Sequence, residues 1–182
     1  MEPPHEKPVL RSSSRSQSHK LGEAWGDFLS QIRWEWFVSQ TFATNPHPEQ
    51  AIKYFRRWIN ELNKSLYGHR WNKRAPFGVI WVMAVEPHKS GEAHLHSVIR
   101  GVGETRRLTW MDRWVELAPA TGWSRIRPIN SNPRDCRYVS KYAAKGGSVY
   151  FSDNFLAPGT DPLALEPTKS QVPTPRGIPR RW

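Results

Sequence analysis

Apolar residues recur at Ala51, Ile52, Phe55, Trp58, Ile59, Leu62 and Leu66, the spacing of one face of an amphipathic helix. The pattern predicts a helix over 49–67, entered past Pro46 and Pro48 and closed at Gly68, where a C-cap belongs. Ahead of it, WEWFVSQTFAT (34–44) is rich in aromatic and β-branched residues and reads as a strand. FGVIWVMAV (77–85) is almost continuously apolar, as in a strand buried on both faces. A polar turn, HKSGE, separates it from a further strand, AHLHSVI (93–99). Thr109 and Asp112 make a T-x-x-D capping box before WMDRWVELA, a helix that stops at Pro119. WSRIRPI (123–129) alternates as a strand does. Asn132, Pro133 and Asp135 then supply an N-cap, a first-turn proline and a first-turn acid for a helix reaching Lys145 and ending at Gly146-Gly147. SVYFS (148–152) is read as a last strand, and EAWGDFLSQIR (23–33) as a short helix weakened by Gly26. Adjacent strands with interspersed helices predict an α+β fold, an antiparallel sheet with helices packed on it.

The 182 residues suffice for one domain with a real core, drawn here over 21–156. Residues 1–20 are polar and basic and are expected to form a disordered arm. Residues 157–182 hold six of the sixteen prolines and read as a basic flexible tail. The formal charge of +11 predicts a polyanionic partner, because neutralising phosphates releases counterions. The plainer reading of the charge is a ribosome-surface or merely basic protein. The lone Cys136 excludes a disulfide framework and a cysteine-based zinc site. There is no apolar run of membrane-span length and no secretory leader, so a cytoplasmic protein is expected. Most of the ten Trp are expected in the core or half-buried.

Candidate chemistry starts at His94-Leu95-His96. Residues i and i+2 of a strand share a face, so both imidazoles point the same way. Imidazole is a good ligand for divalent metals, although a His pair also occurs on ordinary sheet faces. If Lys89-Ser90-Gly91 is a three-residue hairpin loop, Glu86 lies opposite His94 and joins both imidazoles on one side. A two-residue loop of Ser90-Gly91 would set Glu86 against Leu95 and destroy the cluster. His88, nearer the turn, is the second choice for third ligand. Such a donor set suits Mn²⁺ or Mg²⁺, with Zn²⁺ ranked below them, and leaves positions open for a phosphate oxygen.

On the predicted helix RYVSKYAAK, residues Tyr138, Lys141, Tyr142 and Lys145 fall within an arc of about 100°. Nearby ammonium groups favour a phenolate over the phenol, whose ordinary pKa is about 10. A phenolate attacking a phosphodiester gives a phosphotyrosine that conserves the bond energy for religation. The plainer reading is a half-buried helix with packing Tyr and solvated Lys.

Taken together, FVSQTFAT, EPHKSGEAHLHSVI and YVSKYAAK resemble the three ordered motifs of the His-hydrophobic-His (HUH) endonuclease superfamily, over residues 34–150. The last two look like the gene A-type, two-tyrosine rolling-circle initiators of phages and plasmids. The resemblance implies a five-stranded antiparallel sheet with flanking helices, a metal on Glu86, His94 and His96, and Tyr138 and Tyr142 as nucleophiles. It places Lys141 and Lys145 where they position substrate or stabilise charge, and Ser39 and Thr41 where they approach DNA. The implied partners are single-stranded DNA or an origin hairpin, and a host helicase and polymerase, since G-x-x-x-x-G-K-[ST] is missing. Neither a membrane nor a small-molecule cofactor is expected. The chain is shorter than the phage initiators, as a minimal initiator or a fragment would be. Alternatives from the same residues are a transposase or relaxase with the same chemistry, a non-catalytic single-strand-binding module, and a small-molecule phosphoesterase.

Overall fold

The computed structural model describes residues 11–73, 78–87, 93–129, 139–141 and 148–155. Its elements run α1 (Arg11–Ser30), β1 (Trp36–Phe42), α2 (Pro48–Tyr67), a 3-10 turn (Trp71–Lys73), β2 (Ile80–Pro87), β3 (Ala93–Arg100), α3 (Arg107–Leu117), β4 (Thr121–Pro128) and β5 (Val149–Phe151). Residues 139–141 are also helical. The five strands form one sheet in the order β4-β1-β3-β2-β5, every neighbouring pair antiparallel. The protein is thus an α+β fold with helices flanking a five-stranded antiparallel sheet. Because β1 and β2 both pair with β3, the crossover through α2 places them parallel on its two sides.

Each face of the sheet carries its own core. On one, α2 lays Ala51, Phe55, Trp58 and Leu62 over Val38, Trp81, Met83, Leu95 and Ile99, and Trp110, Trp114 and Leu117 of α3 complete the layer. Burying each large side chain contributes roughly 1.5–3 kcal/mol. The indoles do not lose their hydrogen bonds: Trp58 Nε1 donates to the Trp110 carbonyl at 3.0 Å, and Trp114 Nε1 to that of Thr41 at 3.1 Å. On the other face, Leu29, Ile32, Trp34, Val139 and Phe155 cover Phe37, Val82, Ala84 and Val98. This double cover explains the unbroken apolar run of β2. Its odd residues Trp81, Met83 and Val85 serve one core, and its even residues Ile80, Val82 and Ala84 serve the other.

The helix over 49–67 is α2, closed at Gly68, whose φ of 81° suits glycine. Two expectations change. First, α1 starts at Arg11 and not near residue 23, so the second half of the stretch expected to be an arm is helical. A helix docked at its C-terminal end extends cheaply, since propagation adds one hydrogen bond per residue after nucleation. Residues 1–10 and 156–182 lie outside the described residues. Second, α3 begins at Arg107, leaving Thr109 inside the helix and not at its cap. The preceding turn is held from elsewhere. Glu35 Oε2 accepts the backbone N–H groups of Gly101, Val102 and Gly103 at 3.1, 2.6 and 3.1 Å, an anion in a nest of amides. The Tyr67 hydroxyl donates to the Gly101 carbonyl, and burial, with the Glu35 charge adding to it, pushes its pKa up to about 12.

Two substitutions test these joints. Glu35→Ala leaves three amides without their acceptor and is expected to lower unfolding stability by about 1.5–3 kcal/mol in urea titration, with Glu35→Gln losing less. At Gly122 a Cβ would stand 2.6 Å from Thr41 Oγ1 and 3.0 Å from the Phe42 carbonyl carbon. Gly122→Ala must therefore push β4 off β1, an overpacking expected to cost about 1–3 kcal/mol in the same titration.

Candidate functional site

The second core stops short of one end of its sheet face, and polar side chains take over there. Strand alternation carries Phe37 into Ser39 on β1, Ala84 into Glu86 on β2, and Val98 back into His96 and His94 on β3. The β2–β3 register pairs Glu86 with His94 and Pro87 with Ala93, as the three-residue loop requires. His88 and the loop itself lie outside the described residues.

His96 is the centre of this polar end. It is 6 % exposed and stacks on the Phe37 ring at 6.1 Å between centroids. Its Nδ1 lies 3.1 Å from Ser39 Oγ and its Nε2 lies 3.0 Å from Glu86 Oε2. Burial lowers its pKa below the ordinary imidazole value, against the raising effect of the Glu86 hydrogen bond and charge. The neighbouring His94 and Lys141 charges lower it further. A neutral ring facing a carboxylate carries its proton on Nε2, which donates to Glu86, while Nδ1 accepts from the Ser39 hydroxyl.

Sequence-predicted site residues separate into four groups. Glu86, His94, His96 and Ser39 share one end of one face, with Glu86, His96 and Ser39 in direct contact. Glu86 turns to His96 Nε2, and among the described residues no three His, Cys, Asp or Glu side chains are gathered as a ready metal-ligand set. Thr41 is tied into the fold: its Oγ1 accepts from the Trp123 backbone N–H at 3.0 Å and lies 3.2 Å from the Trp123 carbonyl. Val139 is buried in the same core as Phe37 and Ala84, which sets residues 139–141 on the His96 side of the sheet. Lys141 is exposed there, its charge acting on His96. Tyr138, Tyr142 and Lys145 lie outside the described residues.

A cleft of about 340 Å³ opens beside His94 and His96, walled by Phe37, Ser39, Gln40, Thr41, Trp123, Arg125 and Arg127. The last three were not singled out from sequence. Their signal was the alternation in WSRIRPI, which turns residues 123, 125 and 127 to one face. β4 pairs with β1 so that Arg125 is opposite Ser39 and Arg127 opposite Phe37, whose ring lies 4.4 Å below the Arg127 guanidinium carbon.

The protein is thus an α+β fold whose antiparallel sheet carries, at one end, a His–Glu–Ser contact beside a cleft lined by two arginines. Residues 35–147, more than half of the chain, match the model of a family of replication-associated proteins, the ORF2/gene 2 protein family, and the protein belongs to that family. No curated protein and no solved structure gave a significant match. Among the described residues no helix is long and apolar enough to cross a membrane.

Removing the Glu86 charge tests the electrostatics. In metal-free protein, Glu86→Gln is expected to lower the His96 pKa further in an NMR titration, because the favourable partner of the imidazolium is gone while burial and Lys141 remain. A rise, or no change, would contradict the contact.

Proposed function

We propose that this chain initiates rolling-circle replication by nicking and rejoining single-stranded DNA through a 5′-phosphotyrosine. Membership of a replication-associated family gives the setting. The observation that carries the chemistry is the β2–β3 register, which puts Glu86 opposite His94 and in contact with His96 on the face where Lys141 stands. The substrate is single-stranded DNA or an origin hairpin, opened with a host helicase and copied by a host polymerase.

The donor set fits a divalent ion, Mn²⁺ or Mg²⁺ ahead of Zn²⁺. Two imidazoles and a carboxylate face one way, and the lowered pKa of His96 keeps it neutral, as a ligand must be. The Ser39 contact supports the same reading. A hydroxyl both donates and accepts, so Ser39 holds the ring in either tautomer. With the proton moved to Nδ1, His96 Nε2 presents its lone pair for coordination, and Ser39 becomes the acceptor that fixes the ring. His94, His96 and Glu86 would hold the ion, which when bound polarises a phosphate oxygen and offsets transition-state charge.

The protein's own groups do the rest. A phenolate oxygen of Tyr138 or Tyr142 forms a bond to phosphorus, and the bond from phosphorus to the 3′ oxygen breaks. The freed 3′ oxygen takes a proton and leaves as a hydroxyl, while the 5′ phosphate stays esterified to the tyrosine. Lys141 and Lys145 favour the phenolate over the phenol. Tyr138 and Tyr142, four positions apart in the sequence, would serve as successive nucleophile and acceptor.

A 5′-labelled and a 3′-labelled oligonucleotide carrying the family's origin, run on a denaturing gel with and without Mn²⁺, tests this. The expected result is a metal-dependent adduct that carries the 3′ label, joined through the 5′ phosphate of the downstream fragment, while the 5′ label runs as a shortened free strand. The double variant Tyr138→Phe, Tyr142→Phe should abolish the adduct and keep DNA binding, and His96→Ala should reduce nicking at least a hundredfold. Metal-independent binding with no adduct under any condition would instead assign a non-catalytic single-strand-binding module.

A further inference from the structure

Trp123 breaks the pattern of its kind. Trp34, Trp36, Trp58, Trp81, Trp110 and Trp114 are buried, and Trp25 and Trp71 are half-buried, whereas Trp123 is 55 % exposed. An indole left in water on an edge strand gives up burial that the other tryptophans gain. It also stands at a regular place: residues 123, 125 and 127 share the face that holds Ser39 and His96, while Ser124 and Ile126 are buried against the opposite layer. Arg125 is exposed and makes no ion pair among the described residues. The Arg127 guanidinium is braced over Phe37.

From this juxtaposition we infer that the outer face of β4 is a track for single-stranded DNA: Trp123 stacks a base, and Arg125 and Arg127 hold consecutive phosphates on the approach to His96. The inference rests on the proposed substrate and is independent of the proposed bond-breaking step. Same-face positions on a strand recur about every 6.6 Å, close to twice the 3.4 Å per-strand rise of stacked bases, so successive side chains can meet successive units of a partly extended strand. The recognition is the general one for single strands, a cationic groove with an aromatic platform that accepts any base. The formal charge of +11 favours an anionic occupant, and the cleft at the His96 end is continuous with the same residues. Thr41, in the same cleft, fixes the backbone that carries the platform. It grips the Trp123 backbone N–H and carbonyl, so the indole is carried on a fixed peptide and a side-chain substitution leaves that grip intact.

Fluorescence anisotropy of a labelled single-stranded oligonucleotide with the full chain, in EDTA, tests the track without any nicking. Trp123→Ala is expected to weaken binding about tenfold, the scale of one stacked base, with Trp123→Phe recovering most of it. Arg125→Ala and Arg127→Ala should each reduce the slope of log affinity against log salt by about 0.7. Lys53→Ala and Arg56→Ala, on exposed positions of α2 across the sheet, are the charge-matched controls and should change the slope less. Circular dichroism checks that each variant is folded. Trp123→Ala binding within twofold of wild type, equal loss on duplex and single strand, or arginine effects no larger than the controls would each overturn the track. So would a wild-type dimer that Trp123→Ala converts to monomer, which would assign the face to a second copy. A chain that shows the expected binding pattern but never nicks keeps the track and loses the cleavage reading. A chain that nicks with Trp123 neutral does the reverse.

Discussion

Pairing between β2 and β3 sets everything that follows. Side chains alternate along a strand, so a slip of one residue would turn Glu86 into one layer while His94 and His96 stayed in the other. The same slip would drive Trp81, Met83 and Val85 out of the core that α2 covers. The register is therefore held by two sets of apolar residues, one on each face, and the polar contact at its end inherits that precision without having to supply it. A His–Glu hydrogen bond with one partner a quarter exposed contributes little to stability by itself. Its position is determined by hydrophobic packing further down the same strands.

The opposite ends of the second face follow from how far its cover reaches. Leu29, Ile32, Trp34, Val139 and Phe155 protect Phe37, Val82, Ala84 and Val98. Beyond them, among the described residues, serine, glutamate, histidine and arginine replace aliphatic residues at the same alternating positions. Phe37 spans the boundary: it belongs to the core, stacks on His96 and carries the Arg127 guanidinium. A site placed at the rim of a packed layer has rigid support from the core beside it. Residues 139–141 close the arrangement, because Val139 is anchored in the core and Lys141 projects near His96. In this member of a replication-associated family, a basic cleft and a buried imidazole whose pKa is lowered by burial thus meet on one surface.

Much of this was readable from the order of residues. The 3.6-residue period placed α2 to within a residue, because its buried stripe is long and uninterrupted. The continuous run in β2 announced a strand covered on both sides, and the hairpin loop length fixed Glu86 opposite His94. Local capping chemistry was less dependable. Thr109 and Asp112 have the spacing of a cap, yet α3 starts earlier because Glu35, far away in sequence, already orders the turn before it. The polar start of α1 offered no stripe to read.

Period and loop length are local quantities, and they determined the elements, the sheet faces and the identity of the His–Glu pair. Beyond the β2–β3 hairpin, which strand would lie beside which was decided only by three-dimensional packing. The order β4-β1-β3-β2-β5 brings Ser39 to His96, sets Arg125 and Arg127 beside them and leaves Trp123 in water. Such neighbours are separated by tens of residues in the chain. Their meeting depends on two helices and a docked α1 finding shared cores, which no local pattern encodes.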